Sequence, residues 1–175
     1  LSRGLGDVYK RQAKNIVHDV EHVASIFPFE AEAYREAGAR VTFVGHPLAD
    51  TVKASMSYEE AMIFFGGDRV KKRILLMPGS RKNEVEKLLP AMLKAADILT
   101  EKCECQFFLP RAGTISSEFI QGFLKNASPR LDIIVTAGRI YDLMQICTAC
   151  IASSGTATLE TALMGLPTVL VYRLS

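Results

Sequence analysis

The sequence predicts an α/β protein built on a parallel, Rossmann-like sheet with helices on both faces. From residue 56 onward, short apolar segments alternate with segments whose apolar residues recur at helical spacing, and the turns between them are short. Such alternation is typical of parallel strands joined by crossover helices. With 49% hydrophobic and 23% charged residues, the composition is that of a folded globular chain, which argues against disordered and fibrous classes.

The chain before residue 56 differs in character. Residues 1–12 have neither a helical nor a strand period and do not begin with Met, so we interpret them as non-native or disordered sequence. Residues 13–55 are expected to form a piece of a first domain and a linker. The elements expected there are strands over 23–27 and 40–44 and a helix over 30–37.

A second domain is expected over residues 56–175. Its longest helix carries apolar residues at helical spacing, although Pro90 should kink that helix or restart it after one turn. The predicted strands span 73–77, 105–109, 132–136, 149–152 and 168–172. The predicted helices span 58–65, 83–102, 116–125, 140–147 and 157–164.

Charge and hydropathy argue against several classes of function. The formal net charge of +2 is too small for a strong electrostatic footprint on nucleic acid, so no nucleic-acid role is expected. The longest apolar stretches fall short of the roughly 20 residues that a membrane-spanning helix needs. Four cysteines without a signal-peptide pattern favour free thiols in a reducing compartment, with the cytosol as the default.

The sequence offers few metal ligands. Cys147 and Cys150 have the spacing of redox and zinc sites, but no His follows at ligand spacing and Cys150 begins a predicted buried strand, so both are interpreted as small hydrophobic residues. His18 and His22 fit the edge of an amphipathic helix better than a metal site. His46, in a Gly-His-Pro turn, is either a turn residue or a contact in a cleft. The absence of an Asp-x-Asp pair argues against a divalent metal.

The loop after the first strand of the second domain has the outline of an anion site. Gly79 would let the backbone approach a phosphate, Ser80 and the free amides at the helix start could donate to it, and Arg81 offers a bidentate cation. Glu84 follows in the first turn of the helix. The alternative is a turn and helix cap with Arg81 in solvent. The loop lacks the Lys followed by Ser or Thr that a Walker A loop requires.

A second loop of this kind follows the strand over 149–152. Ser154, Gly155 and Thr156, followed by Ala157, could hold phosphate oxygens through hydroxyls and amides. Glu160, about one turn further on, could accept hydrogen bonds from both hydroxyls of a ribose. The alternative is a capping network at the helix start. Two such loops at neighbouring strand ends together favour a nucleoside diphosphate as the ligand.

Four motifs in order resemble the lipid-A-disaccharide synthase family. They are Phe-Pro-Phe-Glu at 27–30, Phe-Val-Gly-His-Pro-Leu at 43–48, Leu-Met-Pro-Gly-Ser-Arg at 76–81 and Ser-Gly-Thr-Ala-Thr-Leu-Glu at 154–160. The resemblance extends from about residue 15 to residue 173 and identifies the chain as an internal fragment. It implies the C-terminal half of a two-domain glycosyltransferase B fold, together with the tail of the first domain. Residues 13–55 would then be the end of the N-terminal, acceptor-side domain and the linker, and residues 56–175 a C-terminal UDP-sugar-binding domain truncated at its C terminus.

The resemblance also implies a reaction. This family transfers 2,3-diacylglucosamine from UDP-2,3-diacylglucosamine to the 6-hydroxyl of 2,3-diacylglucosamine 1-phosphate, with inversion, and forms a β-1,6 disaccharide and UDP in lipid A biosynthesis. The family uses neither a metal nor a cofactor. Because its substrates carry acyl chains, a cytoplasmic protein peripherally attached to the inner face of the membrane is expected.

The resemblance assigns roles to individual residues. Arg81 would stabilise the leaving diphosphate, Glu160 would hold the ribose, and the turn ending at Ile140 would contact uracil through its backbone. His46 would lie at the substrate. The remaining residues expected to bind substrate are those of the two anion loops: Gly79, Ser80, Glu84, Ser154, Gly155, Thr156 and Ala157.

The departures from the family matter as much as the matches. Family members are about twice as long, and the carboxylate proposed as their general base lies outside this chain, so the chain alone is expected to be inactive or nearly so. The last strand and the first two are expected to expose apolar faces. The alternatives are a related UDP-sugar enzyme, such as a 2-epimerase or the peptidoglycan glucosaminyl transferase, and a non-catalytic nucleotide-binding module.

Overall fold

The structure is a computed structural model that describes residue 16 and residues 19–173. The interpretations of residues 1–12 and of His18 lie outside the described residues. Two compact units divide between Thr51 and Val52, whereas the sequence analysis put the boundary after residue 55. Residues 52–55 belong to the second unit because the backbone amide of Ser55 donates to Asp142, deep in that unit, over 2.6 Å.

The first unit contains a parallel pair of short strands and two helices. The first strand ends before its predicted limit because the hydroxyl of Ser25 donates to the carbonyl of Phe27 and turns the chain. The first helix begins earlier than predicted, at Pro28, whose missing amide costs nothing in the first turn. The elements are β1 (Val23–Ser25), α1 (Pro28–Glu36), β2 (Val41–Phe43) and the unpredicted α2 (Leu48–Thr51).

The second unit contains the five strands and five helices that the sequence predicts, each within one residue of its predicted bounds. In chain order they are α3 (Tyr58–Phe65), β3 (Lys72–Met77), α4 (Lys82–Lys102), β4 (Cys105–Pro110), α5 (Ser117–Leu124), β5 (Ile133–Thr136), α6 (Ile140–Ile146), β6 (Ala149–Ser153), α7 (Thr156–Leu163) and β7 (Thr168–Val171).

The five strands form one parallel sheet, which confirms the predicted fold class. Their order across the sheet is β5-β4-β3-β6-β7. From β3 the chain first builds outward through β4 to β5, then returns to the other side of β3 to add β6 and β7. The strand order therefore reverses between β3 and β6, and in open parallel sheets ligands bind at such a switch point.

The helix α4 continues through Pro90, so the predicted restart is wrong, while the predicted kink stays a prediction. Pro90 and Glu86, whose carbonyl loses its helical partner, both lie on the exposed side, where water can take the place of the missing amide. The opposite side keeps its packing, since Val85, Leu89 and Met92 are each at most 1% exposed.

Two hydrophobic clusters cover the two faces of the sheet. Successive residues of the central strands point to opposite faces: Leu76 and Phe107 enter the cluster beneath α4 and α5, whereas Leu75 and Phe108 enter the one beneath α3 and α6. All four side chains are fully buried. This two-sided core fixes the sheet rigidly and so positions the loops at its carboxyl edge.

The surroundings of Cys147 and Cys150 support their interpretation as small hydrophobic residues. Cys150 is buried, as predicted, and burial raises the pKa of its thiol to about 12. Burial also raises the pKa of Cys147, so both thiols stay protonated at neutral pH. All four cysteines are free thiols. In the described part of the chain, no three His, Cys, Asp or Glu side chains lie close enough together to hold a metal ion.

The expected apolar exposure is found on β7 and β2, whereas β1 exposes no large apolar side chain. Val169 and Leu170 of β7 are 63% and 57% exposed, and Phe43 of β2 is 46% exposed. Among the residues that the structure describes, no helix combines the length and apolarity needed to cross a bilayer.

Candidate functional site

A cavity of about 560 Å³ opens at the carboxyl ends of the strands, around the switch point between β3 and β6. Its volume lies within the roughly 300–1,000 Å³ of typical small-ligand sites. The loops after β3, β4, β5 and β6 all contribute to its wall. Ten of the eleven predicted site residues line it: Gly79, Ser80, Arg81, Glu84, Ile140, Ser154, Gly155, Thr156, Ala157 and Glu160.

The eleventh predicted residue, His46, belongs to the first unit. Its Nδ1 accepts a hydrogen bond from the amide of Leu48 over 3.1 Å, and its ring packs against that of Phe27 with the centroids 5.1 Å apart. These contacts are those of a turn residue that fixes the start of α2. A contact between His46 and substrate stays a prediction.

In the loop between β3 and α4, Glu84 acts as an internal cap. Its carboxylate accepts hydrogen bonds from the amides of Ser80 and Arg81, over 3.2 and 3.4 Å, and pairs with the Arg81 guanidinium over 3.3 Å. The cap that the sequence analysis kept as the alternative is thus present. The Arg81 side chain nevertheless remains 83% exposed at the cavity, free to meet an anion.

The Glu84 side chain packs against Gly79 in space that a larger residue would occupy. The φ of +115° at Gly79 disfavours other residues, and a Cβ at this position would lie 2.8 Å from the Cβ of Glu84. We expect Gly79→Ala to lower the free energy of unfolding by about 1–3 kcal/mol, from backbone strain, and to weaken nucleotide binding as the loop shifts. Urea denaturation and calorimetry measure the two effects.

The matched control is Gly122→Ala in α5. Nothing lies within 4 Å of the position a Cβ would take there, so this variant is expected to be as stable as the parent or slightly more stable. Equal stability of the Gly79 and Gly122 variants would contradict the packing argument for Gly79.

In the loop between β6 and α7, the first amides of α7 have no side-chain cap, and Thr156 and Ala157, which carry them, line the cavity. Gly155 is the N-cap residue and supplies no side-chain acceptor. The hydroxyl of Thr158 donates to the Gly155 carbonyl over 2.7 Å, which leaves that hydroxyl turned away from the helix amides. The Glu160 carboxylate does not cap these amides either, and the hydrogen bond that it accepts comes from the Tyr141 hydroxyl. The capping network proposed as the alternative is therefore not formed here.

Glu160 and Tyr141 join α7 to α6. The Tyr141 hydroxyl donates to Oε1 of Glu160 over 2.7 Å, and both side chains are half-buried. This hydrogen bond, aided by burial, raises the pKa of the Tyr141 phenol. The phenol is therefore a donor at neutral pH, and the carboxylate lining the cavity is held by one of its two oxygens.

The loop between β5 and α6 has an unusual backbone. Gly138 and Arg139 both have left-handed φ values, 68° and 50°, and Arg139 is the non-glycine residue that adopts one in the described chain. The Arg139 guanidinium holds this turn by donating to the hydroxyl of Ser55 over 3.3 Å and by lying 5.6 Å from the Phe64 ring centroid. Gly138 and Ile140 are thereby presented to the cavity.

The buried Asp142 carboxylate fixes the same loop through hydrogen bonds. The residue is 3% exposed, and its carboxylate accepts hydrogen bonds from the amides of Ser55 and Met56, over 2.6 and 2.7 Å, and from the Ser55 hydroxyl over 2.8 Å. Burial alone would raise the pKa of the Asp142 carboxyl, but these hydrogen bonds and the nearby Arg139 outweigh it, so the pKa lies below its usual value. Sequence analysis did not single out Asp142.

The loop after β4 is a part of the cavity that sequence analysis missed. Its residues from Pro110 to Gly113 line the cavity, and the Arg111 guanidinium donates to the carbonyl of Ile115 within the loop. The hydroxyl of Thr114 donates to the Ser80 carbonyl over 2.6 Å and so ties this loop to the Gly79 loop. The position of the loop at a strand end was the signal that could have identified it.

Comparison with solved structures identifies the class of fold. The sheet matches that of Anabaena Alr3699/HepE, solved with UDP-glucose and with UDP and glucose, at a TM-score of 0.51. The match covers 92% of this chain and 48% or 47% of that protein, at 13% or 14% identity. This likeness shows the fold alone, and the chain covers about half of the two-domain glycosyltransferase B architecture.

Sequence comparison gives the family. A family model described as lipid-A-disaccharide synthetase matches residues 8–175, and the chain belongs to that family. It is 45% identical to the lipid-A-disaccharide synthases of Geobacter sulfurreducens and Trichlorobacter lovleyi over 94% of its length, and 38% identical to that of Coxiella burnetii over 93%. The chain spans only 42% or 43% of the length of these relatives.

Proposed function

We propose that the second unit binds the UDP group of a sugar-nucleotide donor. The observation that carries this proposal is the meeting of Arg81, the uncapped amides at the start of α7 and Glu160 around one cavity at the switch point of the sheet. A cation and free amides suit a diphosphate, and a carboxylate suits the two hydroxyls of a ribose.

The reaction we propose is that of the whole family. It is the transfer of 2,3-diacylglucosamine from UDP-2,3-diacylglucosamine to 2,3-diacylglucosamine 1-phosphate, with inversion, forming the β-1,6-linked lipid A disaccharide 1-phosphate and UDP. Family membership supports these substrates, and the UDP-containing complexes of Alr3699/HepE agree with a UDP-linked donor. The acyl chains of both substrates favour peripheral attachment at the inner face of the cytoplasmic membrane.

Within this proposal, Arg81 supplies the electrostatic assistance. Its exposed guanidinium would pair with the diphosphate as negative charge develops on the leaving group. A phosphate oxygen would also replace the Glu84 carboxylate as acceptor for the amides of Ser80 and Arg81, since the two anions cannot share those donors. The backbone of the Gly138 to Ile140 turn would contact uracil. The general base would lie in a segment of the full-length family members that this chain does not include.

Calorimetry on this chain tests the UDP site. Affinity is expected to rise from uridine to UMP to UDP, because each phosphate adds charge-assisted hydrogen bonds worth about 1.5–3 kcal/mol apiece. EDTA should leave the UDP affinity unchanged, since the family resemblance implies binding without a metal. Equal affinities for uridine and UDP would contradict the diphosphate assignment.

A chimera tests the reaction. Residues 52–173 would replace the matching segment of the Geobacter sulfurreducens synthase, and formation of the disaccharide would be measured from both acylated substrates. The chimera is expected to make the disaccharide. A chimera that binds UDP but makes no disaccharide would contradict the proposed reaction while leaving the UDP site intact.

A further inference from the structure

We propose that Tyr141 is a positioning residue for ribose recognition, whose hydroxyl holds the Glu160 carboxylate ready to accept both hydroxyls of the ribose. The inference rests on the proposed UDP site and extends it to a side chain outside the described cavity wall. The observation behind it is the 2.7 Å hydrogen bond from the Tyr141 hydroxyl to Oε1 of Glu160.

The position of Tyr141 makes it a rigid support. It is the second residue of α6, and its ring packs against the apolar cluster beneath α3 and α6. Glu160 lies on α7, with its side chain at the cavity. The hydrogen bond therefore connects α6, which follows the turn proposed to contact uracil, to α7, which carries Glu160. The groups proposed to bind uracil and ribose are thus held in a fixed position relative to each other.

A fixed carboxylate binds a diol better than a free one. A glutamate side chain loses up to about 2 kcal/mol of rotamer entropy when it is ordered. With Oε1 held by Tyr141, much of this loss has already occurred on folding and does not oppose ligand binding. Each carboxylate oxygen has two acceptor positions, so Oε1 keeps one and Oε2 keeps both for the 2′- and 3′-hydroxyls.

The test compares UDP with 2′,3′-dideoxy-UDP, which lacks both ribose hydroxyls. Tyr141→Phe keeps the packed ring and removes the donor. Calorimetry on this chain is expected to show UDP affinity lowered about threefold to tenfold, in line with one lost hydrogen bond, and affinity for the dideoxy nucleotide unchanged. The control is Tyr58→Phe, which removes a 3.0 Å hydrogen bond from Arg73 away from the cavity and should change neither affinity.

The remaining outcomes separate the inference from the proposed function. Equal losses for both nucleotides, or no loss for either, would overturn the role of Tyr141. If Glu160→Ala removes the preference for UDP over the dideoxy nucleotide while Tyr141→Phe leaves that preference unchanged, the UDP site stands and only the Tyr141 role fails. A parent chain that does not bind UDP would overturn both.

Discussion

Replacing Asp142 with alanine is expected to lower the free energy of unfolding by at least about 3 kcal/mol. The buried carboxylate accepts three hydrogen bonds from Ser55 and Met56. Its removal leaves two backbone amides without an acceptor, and a buried donor without a partner costs its full desolvation penalty. The Arg139 guanidinium, 3.8 Å from the same carboxylate, also loses its ion-pair partner. Urea denaturation followed by circular dichroism measures the effect.

The control for this prediction is Asp132→Ala. Asp132 pairs with Lys71 over 2.8 Å, and because both side chains are about one-third exposed, water screens this pair and its contribution is smaller than that of the buried Asp142. The Asp132→Ala variant should therefore have a free energy of unfolding close to that of the parent chain. If Asp142→Ala and Asp132→Ala unfold at the same urea concentration, the anchor formed by Asp142 has no special role.

The contribution of Asp142 is also expected to depend on pH. Because its pKa in the folded chain lies below the usual value near 3.9, the unfolded chain takes up the proton first as the pH falls. The contribution is therefore complete at neutral pH, starts to shrink as the pH approaches 3.9 and disappears below the folded pKa. The stability difference between the parent and Asp142→Asn should be smaller at pH 3 than at pH 7. A difference independent of pH would mean that the charge of Asp142 does not stabilise the fold.

Local periodicity was enough to predict the elements of the second unit. Helix α4 illustrates why: its apolar residues repeat at helical spacing, and burial of that one side outweighs the local cost of Pro90. The loops at the strand ends were equally visible, because Gly79 and Gly155 interrupt the pattern between a strand and a helix. Ten predicted residues consequently line one cavity.

Contacts between residues distant in the sequence could not be predicted in this way. The switch point exists because the chain returns after β5 and pairs β6 with the free side of β3. Periodicity carries no information about which strands pair. The anchor between Asp142 and Ser55 spans 87 residues, and the bond between Thr114 and Ser80 spans 34. A polar residue in the first turn of a helix is ordinarily exposed, so nothing in the local sequence marks Asp142 as buried.

Replacing Arg81 with alanine is expected to lower the affinity for UDP by about tenfold to a hundredfold and to leave the affinity for uridine unchanged. The reason is that a guanidinium pairs with phosphate through charge-assisted hydrogen bonds worth about 1.5–3 kcal/mol, and tenfold in affinity corresponds to about 1.4 kcal/mol. Loss of Arg81 also leaves Glu84 without its cation, so the loop becomes more repulsive to an anion. Calorimetry with both ligands measures the difference.

The neighbouring Lys82 provides a matched control, since it carries the same charge one residue away. Its ammonium lies 5.0 Å from the centroid of the Phe119 ring on α5, and the described cavity wall does not include it. If position and not net charge determines binding, Lys82→Ala should keep the UDP affinity of the parent. Arg81→Lys should fall between the parent and Arg81→Ala, because lysine keeps the charge but lacks the planar fork. Equal losses in the Arg81→Ala and Lys82→Ala variants would mean that the chain attracts UDP by its general charge, and the assignment of Arg81 to the diphosphate would be wrong.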